Sequence, residues 1–165
     1  MTRGLVRRAA ALTVLPLGLL CTAGAAPERL PPPAPRFTPR FEALAETRLL
    51  MEGLAQPNYR ALEKLLKEKP ADVEAWTFAR GQALLLAETG NLLMLRPPRN
   101  AGETAWMARA TELRTAAAEL ARQAGKSDLE RTRGAILNVA ASCNRCHETF
   151  RIKVRVGPEA REPGS

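Results

Sequence analysis

Residues 143–147 read Cys-Asn-Arg-Cys-His, and no other run constrains the chain as much. A Cys-x-x-Cys-His run is the attachment signature of a c-type haem. The residue types explain why. Two thiols add across the two vinyl groups of a porphyrin as thioethers, and the imidazole that follows binds iron from one face. Residues i, i+3 and i+4 share one face of a helix, so a single turn holds all three groups against one flat ring. The fold must therefore lay this helix along a large, flat, mostly apolar group and cover it.

His147 is the only histidine in the chain. With iron bound there, no second imidazole is left for the opposite face. The sixth position falls to Met, to a weaker donor such as Lys, or to nothing. Other uses of a Cys-x-x-Cys pair fit less well. A redox dithiol usually follows a strand in a βαβ unit, and no such unit is visible. A zinc site needs a second Cys or His pair, which the chain lacks. A structural disulfide stays open for an exported chain.

Export is read from the N-terminus. Arg3, Arg7 and Arg8 precede an apolar stretch over 9–20 and a small-residue Ala23-Gly24-Ala25 site. This is the layout of a cleaved signal peptide over 1–25. The apolar stretch is too short for a mature membrane span, so no stable membrane insertion is expected after processing. Cys21 is a weak lipidation candidate because the bulky Leu20 precedes it. Thioether attachment of haem takes place outside the cytoplasm, so a periplasmic location is expected. Removing the three arginines lowers the net charge from +8 to +5. That is a mild bias toward an acidic redox partner. No basic run interleaved with aromatics points to nucleic acid.

Residues 26–39 hold six prolines and form an extended tether. A cytochrome domain is expected over 40–154, followed by a disordered tail over 155–165. From residue 40 the apolar residues recur with helical period, and no strand alternation is found. The spacing predicts a first helix over 38–55, capped by Thr38, with Phe41, Leu44, Leu50, Met51 and Leu54 on its inner arc. Pro57 breaks it, and a short helix over 58–69 ends at Pro70. Asp72 caps a long helix running to Pro97-Pro98. One stripe of that helix carries Ala79, Ala83, Ala87 and Gly90, small enough for close approach of a helix or a flat ring. Its opposite stripe, Phe78, Leu85 and Leu92, is either a homodimer face or buried under the short helix. Another helix covers 102–123. Ser127 and Glu130 form a capping box for the last one. The fold class is all-α: an antiparallel four-helix bundle with an extra short helix between the first two long helices.

A four-helix domain with one Cys-x-x-Cys-His near its C-terminus resembles the class II c-type cytochromes, cytochrome c-prime and its low-spin, methionine-ligated relatives. The resemblance rests on Ala-Trp-Met-Ala-Arg-Ala around Trp106 and on the run from Ser127 to Arg151, with Phe150 and Arg151 after the histidine. It implies one covalent haem c held by Cys143 and Cys146, with His147 as fifth ligand and Arg151 near the proximal side. It also implies a residue of the first helix over the distal face. Met51 stands near that place, one residue out of the family spacing, while Met94 and Met107 are further methionines at the same end of the bundle. A Met/His pair implies a one-electron carrier that is not an enzyme. An open iron implies a cytochrome c-prime-like protein binding nitric oxide or carbon monoxide.

Overall fold

A computed structural model describes residues 41–99 and 102–157. The expected signal peptide, tether, Thr38 cap and most of the tail lie outside them. Among the described residues all regular structure is helical. In chain order come α1 (Thr47–Leu50), a π-helical turn (Met51–Ala55), α2 (Gln56–Glu68), α3 (Val73–Met94), α4 (Glu103–Ala124) and α5 (Leu129–Thr149).

The first three pieces form one rod. Leu50, Met51, Ala55 and Gln56 all keep right-handed helical backbone angles. The expected break at Pro57, and with it the separate short helix, does not occur. The Gln56 N–H donates to the Met51 carbonyl five residues back. That wide turn resets the hydrogen-bond register just before Pro57. The proline then occupies the first turn of α2, where a missing N–H costs little. The buried Asn58 donates its side-chain amide to the Leu54 carbonyl at 2.6 Å, so the irregular turn leaves that group satisfied. A π turn takes in one extra residue.

The rod starts later than its apolar pattern predicts. Residues 41–46 are not helical, and Phe41 and Leu44 are 84% and 90% exposed. α3 is 22 residues long and stops at Met94 ahead of Pro97-Pro98, and just beyond it the Arg96 guanidinium donates to the Ala45 carbonyl at 2.9 Å. The first rod is built of segments of 4, 5 and 13 residues. α4 has 22 residues and α5 has 21. The four rods are thus of nearly equal length, about 33 Å each at the helical rise.

Short links make successive rods antiparallel neighbours, and α2 also packs on α5 to close the bundle. Each rod places a fully buried aliphatic residue in the core: Leu62, Leu86, Leu120 and Val139. The small stripe of α3 receives a helix. A Cβ on Gly90 would lie 2.8 Å from the Arg114 Cβ and backbone N and 2.9 Å from the Ala110 carbonyl oxygen. Phe78 and Leu85 on the opposite stripe stay exposed and are not covered by α2. The Asp72 carboxylate caps α3 by accepting from Ala75 N–H at 2.8 Å, as its position predicts. At α5 the cap moves by one residue. Ser127 adopts φ 55°, and Asp128 accepts from Arg131 N–H at 3.0 Å. A carboxylate complements the helix dipole better than the expected serine hydroxyl.

Candidate haem c site

At one end of the bundle the first rod and α5 separate around a cavity of about 980 Å³, at the top of the range for small-molecule and cofactor sites. Cys143, Cys146 and His147 line it from α5, and Met51, Ala55 and Tyr59 from the first rod. Leu86, Leu93 and Leu113 form the inner end. Trp106 and Phe150 meet on another wall, centroids 5.1 Å apart with their planes at 70°. This edge-to-face arrangement is a favoured one for aromatic pairs. The Trp106 indole N–H donates to the Leu93 carbonyl at 2.7 Å, locking α4 to the end of α3 beside the cavity.

The three motif side chains thus face one space, as the helical spacing predicts. The two thiols are not joined to each other. Burial pushes the Cys143 thiol from its ordinary 9.0 up to about 11, and the neighbouring Cys146 adds to the shift. Removing water disfavours the charged thiolate. Burial also raises Cys146, with Arg109 nearby working against it. Both stay protonated at neutral pH. That is the reverse of a redox dithiol, which needs a depressed pKa to attack as thiolate. Zinc would require a cluster of His, Cys, Asp or Glu ligands. No group of three or more suited to a metal ion occurs among the described residues.

The imidazole has a defined tautomer. His147 Nδ1 lies 2.8 Å from the Val154 carbonyl oxygen. A carbonyl only accepts, so Nδ1 carries the proton and Nε2 keeps its lone pair free for a metal. The donor set fits a c-type haem: two neutral thiols three residues apart, one oriented imidazole, and a mostly apolar cavity. Arg48, Arg60 and Arg155 also lie on the wall. Guanidinium groups there suit the propionates of a porphyrin.

Among the described methionines, Met51 alone is on the cavity wall. Met94 packs into the core, and Met107 is 37% exposed away from the cavity. Arg151 is not on the wall either. It is exposed, with φ 57°, at the turn that follows α5. Beyond it the chain does not fray at residue 155. Ile152, Val154, Arg155, Val156 and Gly157 line the cavity. Residues 152–156 are in neither helix nor strand. Nothing in the sequence marks Asn144, an unspecified position of the motif, as structural.

A helical bundle with two thiols and an imidazole on one cavity wall fits a haem c-binding protein. Residues 102–151 match the family model for Cytochrome C'. This supports a likeness of that segment to the class II c-type cytochromes of the cytochrome c-prime family. The match covers α4 and α5 with the motif; the first rod and α3 lie outside it. No curated protein and no solved structure gave a significant match. Proteins of this family are generally exported, and no helix among the described residues is long and apolar enough to cross a membrane.

Proposed function

We propose that the protein is an exported one-electron carrier with a single haem c, in which His147 and Met51 are the axial ligands. The observation that carries this reading is that Met51 is the one described methionine sharing a cavity with Cys143, Cys146 and His147. When bound, the haem supplies a one-electron couple, and a Met/His pair favours its reduced state. The chain's own residues do the rest. The thiols fix the ring to α5, the Val154 carbonyl holds the imidazole in its ligating tautomer, and Trp106 and Phe150 wall off water. With His147 and Met51 both holding the iron, the haem would be left without a site for a small molecule and would supply electron transfer alone. The protein works by transient docking to an acidic redox partner, steered by its net positive charge, a contact that electrostatics speeds more than it tightens.

A five-coordinate, gas-binding protein is the second reading. The family match over residues 102–151 is compatible with it, since that family suggests electron-carrying or gas-binding proteins. An absorption spectrum separates the two. Ferrous wild type is expected to be low-spin and to take up carbon monoxide poorly, and Met51→Ala to be high-spin and reactive. A high-spin wild type that binds carbon monoxide readily discards Met51 ligation.

A further inference from the structure

The chain after α5 does more than end the domain. Phe150, Arg151 and Ile152 donate their N–H groups to the carbonyls of Cys146, Glu148 and His147, closing the last helical turn. Arg151 makes the reversal with φ 57°. That is a left-handed conformation, which costs a non-glycine residue roughly 1 kcal/mol. The chain then runs back along α5. The Val154 carbonyl reaches His147 at 2.8 Å, and one turn deeper the buried Asn144 grips Val156 twice. Its Nδ2 donates to the Val156 carbonyl at 3.0 Å, and its Oδ1 accepts from Val156 N–H at 2.9 Å. At the far end Gly157 has φ 82° and is buried; a Cβ there would lie 2.9 Å from the Ala140 Cβ and 3.0 Å from the Tyr59 hydroxyl. The segment is fastened on both sides of the one carbonyl that meets the imidazole.

We propose that residues 151–157 form a proximal strap, with Asn144 as its positioning residue, which holds the Val154 carbonyl on the His147 δ1 proton and thereby sets the basicity of the iron ligand and the reduction potential. This rests on His147 binding haem iron, but not on the identity of the sixth ligand. A fixed acceptor on Nδ1 pushes electron density onto Nε2 and orients the ring. A more basic ligand stabilises the more highly charged ferric state. Holding the carbonyl in place therefore lowers the potential, and releasing it raises the potential. An exposed imidazole reaching only water has no such fixed partner.

The test uses the mature holoprotein and two variants that release the strap by different routes. Asn144→Leu removes both side-chain hydrogen bonds. Val156→Pro removes the N–H that Asn144 Oδ1 accepts and leaves Asn144 in place. Lys153→Gln, on an exposed residue of the same segment, is the control. Each releasing variant is expected to raise the potential by at least about 59 mV, a tenfold change in the ratio of the two oxidation states for one electron. The His147 δ1 proton, followed by NMR, is expected to exchange slowly in wild type and at least tenfold faster in both variants. Lys153→Gln is expected to change neither. A releasing variant with haem attached, an unchanged potential and a protected δ1 proton overturns the strap. So does a δ1 proton that exchanges freely in wild type, a measurement that needs no variant to fold. A wild type with no haem at Cys143 and Cys146 fails the functional reading, and the strap with it. Attached haem with an unmoved potential fails the strap alone.

Discussion

Two glycines on α3 offer the same substitution with opposite expected signs. Gly81 and Gly90 both lie in the helix, and each should gain about 1 kcal/mol of helix propensity on replacement by alanine. A Cβ at Gly81 meets nothing within 4 Å, so Gly81→Ala keeps the gain. At Gly90 the Cβ would press to 2.8 Å on the Arg114 Cβ and backbone N and 2.9 Å on the Ala110 oxygen, against an ordinary approach of 3.4 Å or more. Two of those atoms are backbone and cannot rotate aside. α3 and α4 must separate by several tenths of an ångström where the Trp106 indole holds the Leu93 carbonyl. Overpacking of this kind costs about 1–3 kcal/mol. Set against the propensity gain, Gly90→Ala should come out destabilised by up to about 2 kcal/mol while Gly81→Ala is stabilised by about 1 kcal/mol. At roughly 4 °C per kcal/mol for a domain of this size, the two variants should melt about 4–12 °C apart. Helical circular dichroism of the holoproteins measures this directly. Equal stabilisation of both would refute the close approach of α3 to α4 at Gly90.

Leu62 is fully buried where α2 meets the core. Leu62→Ala should cost about 2–5 kcal/mol in denaturant unfolding, and a loss below about 1 kcal/mol would place α2 outside the core. Cys143 gives a pH test on haem-free protein. Its folded thiol titrates at about 11 against an ordinary 9.0, so the folded state holds its proton more tightly than the unfolded one. The stabilisation is complete below about pH 9 and is lost as pH rises toward about 11. Alkylation of Cys143 should accelerate over the same interval, and the stability loss should shrink in Cys143→Ser, leaving the part due to Cys146. Rapid alkylation at about pH 8, below the ordinary thiol range, would show an open, solvated thiol instead.

Local chemistry made the motif side chains on the cavity wall legible. Cys143, Cys146 and His147 needed only the helical repeat to share a face. The cap at Asp72, the stop before Pro97-Pro98 and the four amphipathic rods are likewise encoded within a few residues of where they act. Packing partners decided the rest. Residues 41–46 are not helical, and Phe41 and Leu44 stay exposed although they fit the apolar repeat. Whether Pro57 breaks its helix depends on a π turn that shifts the register ahead of it and keeps the rod against α3, with Met51 on the cavity wall. The carbonyl on His147 comes from a residue outside the motif, brought back by Asn144 and a glycine seated against Tyr59. A helical period is a property of neighbouring residues. Where a helix stops, and which atom meets its ligand, is set by contacts far apart in the chain.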